Sequence, residues 1–124
     1  MLYANGYPVG GGGSSGGGSI TELWENSNPQ SVGTFTVTIN NLSNYSFIGI
    51  IFQQKDDEST CTPMEIIPNN IGESYPIVRV LSTGESRGRT IEITSATVLT
   101  FSDGYNPGTG YTSNRMIPVK VYGI

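Results

Sequence analysis

No window of about eleven residues in this chain places apolar side chains at helical spacing without a proline or glycine in the way, which excludes a substantial helix. What remains is the two-residue period of strands. Thr34-Phe35-Thr36-Val37-Thr38-Ile39 alternates strictly, with Phe35, Val37 and Ile39 on one face and threonines on the other, and predicts a half-buried strand. Beyond the turn-forming Asn40 to Asn44, Tyr45 to Phe52 is rich in β-branched and aromatic residues and predicts a more fully buried strand, with Gly49 marking a close approach or a bulge.

The same reasoning carries to the end of the chain. Lys55 to Ser59 reads as a polar loop, and Pro63 and Pro68 confine the apolar piece Met64 to Ile67 to a sheet edge. Pro76 to Leu81 is a further strand. A turn at Gly84 to Gly88 leads to Arg89–Ile93, with Ile91 and Ile93 inward. The apolar parity then shifts toward Leu99 and Phe101, which places a hairpin near Thr94-Ser95. Asp103 to Ser113 reads as a long loop before the last strand, Met116 to Tyr122, in which Ile117, Val119 and Val121 face one way. The chain is therefore expected to be all-β: a single antiparallel β-sandwich or jelly roll of about seven or eight strands. Patterning does not separate those two topologies.

A composition boundary at Ser19 divides the 124 residues into an arm, 1–19, and a β domain, 20–124. Eight of the seventeen glycines fall in the first eighteen residues, and positions 10 to 19 are only Gly and Ser. Such a tract loses much backbone entropy on ordering and has no side chains to bury, so by itself it reads as an extended flexible linker. An attachment arm is the other reading. Its backbone would hydrogen-bond a partner through Gly10, Gly11, Gly12 and Gly13, with Tyr3, Tyr7, Pro8 and Val9 as anchoring knobs.

The chemistry on offer is sparse. The sequence has no histidine, which removes the commonest general base and metal ligand, so catalysis would rest on carboxylates alone. Asp56, Asp57 and Glu58 form a charge run typical of a solvated turn, without the ligand spacing of a calcium loop. An enzyme is not expected, nor a metal or cofactor. Six Lys/Arg against ten Asp/Glu give a net charge of −4 with no basic cluster, which argues against nucleic acid. Cys61 is the single cysteine. With no apolar run long enough to span a bilayer and no charged start followed by an apolar segment, neither membrane insertion nor a signal peptide is expected. The triplets Asn41-Leu42-Ser43 and Asn44-Tyr45-Ser46 match the glycosylation acceptor, a coincidence in the absence of a secretion signal.

One stretch suits recognition. In residues 103 to 115, tyrosines offer stacking faces at low entropy cost, and polar residues offer adaptable hydrogen bonds. Asp103, Tyr105, Asn106, Tyr111, Asn114 and Arg115 are the candidate binding residues, for a glycan or a protein epitope. The bland alternative is that these tyrosines cap a sandwich edge. Trp24, the single tryptophan, is expected as a core or interface anchor.

Three segments, Glu22-Leu23-Trp24-Glu25-Asn26-Ser27-Asn28-Pro29, Ser102-Asp103-Gly104-Tyr105 and the closing Ile117-Pro118-Val119-Lys120-Val121-Tyr122-Gly123-Ile124, carry a resemblance in pattern. Over residues 20 to 124 the chain resembles the small β-modules of tail and other structural proteins of bacteriophages and prophages of Gram-positive bacteria. That resemblance implies a virion protein, assembled in the host cytoplasm and commonly a homotrimer. Without heptads or repeats, it would be a short fibre, head decoration or tail-tip module. Its implied partners are copies of itself, other virion proteins through the arm, and a host-surface glycan or protein.

Overall fold

The alternation at Phe35 to Ile39 is realised as one strand of a two-layer β-sandwich. The computed structural model describes residues 2–4, 7–9, 19–29, 33–55 and 58–124. Among them are β1 (Leu2–Ala4), β2 (Tyr7–Val9), β3 (Thr21–Glu25), β4 (Phe35–Thr38), β5 (Phe47–Lys55) and β6 (Glu58–Cys61). The chain continues through β7 (Glu65–Pro68), β8 (Ser74–Val80), β9 (Ser86–Ile93), β10 (Val98–Phe101) and β11 (Arg115–Gly123), with a 3-10 turn at Leu42–Asn44. One sheet runs β4-β10-β9-β8. The other runs β3-β11-β5-β6, with β7 also paired to β5. All pairings are antiparallel.

Strands β8, β9 and β10 form a meander within one sheet, and β5 turns back on β6 and β7 within the other. Each of these runs stays within one layer, while the chain crosses between layers from β3 to β4, β4 to β5, β7 to β8 and β10 to β11, which gives a two-sheet antiparallel sandwich. The two sheets hold nine strands against the seven or eight expected. The difference lies at β6, where sequence reading saw only a polar loop. Both β6 and β7 lie along the same side of β5, as one edge strand broken in the middle. Ile50 faces Glu65 and Gln53 faces Cys61, so the step of three residues on β5 matches four on its neighbour. The extra residue falls at Pro63, which has no N–H to give the ladder. Thr62 bridges the break: its N–H donates to the Phe52 carbonyl (2.7 Å), and its hydroxyl accepts from the Phe52 N–H (3.2 Å).

The core between the sheets is built from Ile48, Ile50 and Phe52 of β5, with the expected Ile91 and Ile93 of β9 and Leu99 and Phe101 of β10. Trp24 of β3 packs across the sandwich on Phe35 and Phe101, with ring centroids at 6.2 and 6.4 Å. Gly49 is a close approach, since a Cβ there would run into the Met64 side chain.

The last strand departs from the expected phase. Its register on β5 shifts between Pro118 and Lys120, so Met116 and Val121 join the core cluster in place of a plain Ile117, Val119, Val121 face. Pro118 survives in a strand flanked on both sides because it sits at this bulge, two positions before the β3 ladder starts at Lys120, and the Asn26 amide caps its carbonyl (3.0 Å).

Among the described residues, β1 and β2 pair only with each other, with Tyr3 opposite Pro8. The anchoring expected of the Tyr3, Tyr7, Pro8 and Val9 side chains, and of Gly10 to Gly13, lies outside the described residues.

Candidate functional site

The segment after β10 starts by continuing the sheet. Gly88 and Tyr105 exchange backbone hydrogen bonds at 2.8 and 2.9 Å, extending the β9–β10 ladder past Phe101. The Tyr105 ring lies on Gly88, where an added Cβ would stand 2.6 Å from the ring's Cζ. An aromatic laid over a cross-strand glycine covers the gap that glycine leaves in a sheet. Tyr105 is thus an architectural residue. So is Asp103, whose carboxylate accepts a hydrogen bond from Thr34 Oγ1 at 2.7 Å.

The expected long loop is a folded hairpin. Tyr105 bridges Thr112, and the Asn106 N–H donates to the Tyr111 carbonyl at 2.9 Å. Within the tip, the Asn106 carbonyl accepts from Thr109 and Gly110, and its side-chain oxygen accepts from the Gly108 N–H at 2.9 Å. Gly110 has φ +77°, the left-handed conformation that closes the turn. Behind the hairpin, Gly104 is pressed against backbone: its missing Cβ would lie 2.6 Å from the Arg115 carbonyl and 2.7 Å from that of Ser113. These contacts hold Tyr111 out at 77% exposure on a tip that is already ordered.

Opposite the hairpin stands the β8–β9 turn. The Glu85 carboxylate binds Arg87 Nη2 at 2.7 Å and Arg115 Nη2 at 3.2 Å, and it accepts from the Thr83 hydroxyl at 2.9 Å. The Thr83 hydrogen bond, then Arg115 and Arg87, hold the Glu85 carboxyl below its ordinary value. Between turn and hairpin lies an open pocket of about 360 Å³. Arg87 and Arg115 line it with Asn106, Tyr111 and Asn114. Thr109, Thr112 and Ser113 complete the wall.

Of the six residues expected to bind, the structure brings four together: Asn106, Tyr111, Asn114 and Arg115. Asp103 and Tyr105 do not line the pocket; they brace the hairpin. Sequence reasoning missed Arg87 and Glu85, which read only as punctuation of a turn. Their meeting with Arg115 depends on β9 and β11 starting at the same end of the sandwich.

Beneath the pocket, Arg89 is fully buried. Its guanidinium donates to the Met116 carbonyl (3.2 Å) and the Gly33 carbonyl (2.7 Å), and lies 5.5 Å from the Phe35 ring centroid. Burial pushes its pKa down to about 10, opposed by Asp103, so it stays cationic at neutral pH. Met116 has φ +58°, an uncommon conformation for a side chain of its size, and the Arg89 bond fixes its carbonyl next to Arg115.

No known protein family, curated protein or solved structure matches this chain. Function is therefore argued from geometry and chemistry. Among the described residues, no three acidic or cysteine side chains converge as a metal site would require, and Asp56 and Asp57 lie outside them.

Proposed function

We propose that the chain is a virion structural module with two working ends: the arm attaches it to the particle, and the sandwich presents the pocket between the β8–β9 turn and the 103–115 hairpin. One observation carries this reading. Thr21, where the arm enters the sandwich, pairs with Gly123 at the end of β11, whereas Arg115, in the pocket wall, begins that same strand. A strand of nine residues separates the two by roughly 26 Å at 3.3 Å per residue. A domain held at one pole and open at the other suits a short fibre, a head decoration or a tail tip. The pattern resemblance over residues 20 to 124 points to the same setting, and self-association as a trimer belongs to it.

The test is incorporation. A chain lacking residues 1–19 should fold, since β3 begins at Thr21, yet be absent from purified particles that contain the full chain. Unchanged incorporation sinks the attachment role, and absence of the full chain from particles sinks the virion setting. The recognition end is tested separately, by adsorption of particles to host cells: the Tyr111→Ala/Arg115→Gln double variant should reduce it at least tenfold.

A further inference from the structure

The pocket's composition narrows what it would hold. Its wall contains two guanidiniums, one exposed tyrosine and a set of neutral amides and hydroxyls, with no aliphatic side chain. Ligand sites that anchor apolar groups are lined mainly by hydrophobic side chains. A wall without them suits a ligand rich in hydroxyl groups. Its size lies near the lower end of the roughly 300–1,000 Å³ usual for ligand sites, room for one sugar ring.

Charge supplies the next constraint. Arg87 and Arg115 face one carboxylate, Glu85, so the cluster is left with one net positive charge in a chain of net charge −4. Each guanidinium carries five N–H donors. Among the described residues the pair spend three: Arg87 on Glu85 and on the Ser86 carbonyl at 2.7 Å, and Arg115 on Glu85. Arg87 Nε is buried with no acceptor among those residues. Glu85 fixes both planar groups in place while leaving most of their donors unspent, an arrangement that favours a further anion. The Tyr111 ring, held out by the hairpin tip, adds a flat apolar face beside this charge.

Resting on the recognition end proposed above, we infer that the pocket takes a single acidic sugar residue, a pyranose bearing a carboxylate, with its ring on Tyr111 and its carboxylate at Arg115. The neutral amides and hydroxyls then meet the sugar's own hydroxyls. Arg115 would receive the planar carboxylate as a fork, since it meets Glu85 through Nη2 alone, at 3.2 Å.

The test titrates the full chain, followed by amide NMR shifts, with the methyl glycosides of galacturonic acid and of galactose and with glucose 6-phosphate. The uronide should shift amides of the 106–115 hairpin and of Arg87, and bind at least tenfold tighter than the neutral galactoside. Raising salt from about 50 to 500 mM should weaken it severalfold, because the contact is ionic. Arg115→Gln and Tyr111→Ala should each weaken it about tenfold with thermal unfolding unchanged, and Arg115→Lys, which keeps charge but loses the fork, should fall between. Equal binding of galactoside and uronide overturns the acidic class while leaving a sugar-binding end. Tighter binding of the phosphate overturns the carboxylate. No shift with any probe, or shifts indifferent to both variants, overturns the inference outright. The recognition end itself stands or falls on the adsorption assay.

Discussion

Arg89 is the residue on which the site's geometry depends most. A guanidinium in an apolar core loses its hydration, and it is retained here because it supplies donors to two carbonyls, Met116 and Gly33, that β pairing leaves open. Arg89→Leu should cost about 3 kcal/mol in urea unfolding, since both carbonyls lose a charged donor. Amide shifts of Arg115 and Met116 should move with it. Gly104→Ala tests a different limit. The added methyl meets two carbonyls of the backbone, not a side chain that can swing aside, so about 1–3 kcal/mol and a displaced hairpin are expected. Glu85 sets the pH response. Its folded-state pKa is lowered, so its stabilising contribution is present above the unfolded value of about 4.5 and is lost as pH falls through the lower folded value. Acidification should therefore release Arg87 and Arg115 from Glu85 below the usual carboxylate range, visible as a coupled shift of both arginine side chains in NMR, and Glu85→Gln should abolish that transition.

At the level of elements, β8 shows how an exposed edge is kept from pairing. Leu81 donates to the Glu85 carbonyl and Ile93 to the Glu73 carbonyl, so odd-numbered residues of β8 exchange hydrogen bonds with β9 and even-numbered ones face the open edge. Pro76 is among the latter and removes a donor from that edge, while Val78 and Val80 stand half or more exposed on the outer face. Pro76→Thr should restore the donor and raise self-association in light scattering. Val78→Lys should lower it, with stability unchanged within about 0.5 kcal/mol. Strands like these were legible because one face is buried: the periods at Phe35 to Ile39 and Arg89 to Ile93 mark β4 and β9, and the parity shift after Ile93 marks the β9–β10 turn. What escaped had no periodic signature. β6 is an outer piece of an edge strand with little to bury, and the bulge at Pro118 resets a phase that sequence reading carried straight through. The candidate site followed the same division: the hairpin's tyrosines and amides announced themselves by composition, whereas Arg87 and Glu85 join it only through the pairing of distant strands.

For the whole molecule, the decisive property is that entry and pocket occupy opposite poles. Ile124 also lies at the entry pole, where its carbonyl accepts from Ser46 and Phe47 at 3.1 Å. Because β11 is central in its sheet, removing residues 120–124 should abolish cooperative unfolding, while removing 1–19 should leave the transition midpoint within a few degrees, both measured by calorimetry. On the proposed function, a shallow, polar pocket for one sugar residue would bind weakly when alone. Several copies gathered at their entry poles would carry their pockets outward on a common face, and a surface bearing repeated ligands would then be held by avidity: after the first contact the others form at an effective local concentration, gaining roughly 10²–10⁴ over one site without any new interaction. On the proposed function, the separation of the two poles would leave the strength of attachment to copy number and spacing, and each pocket free to let go.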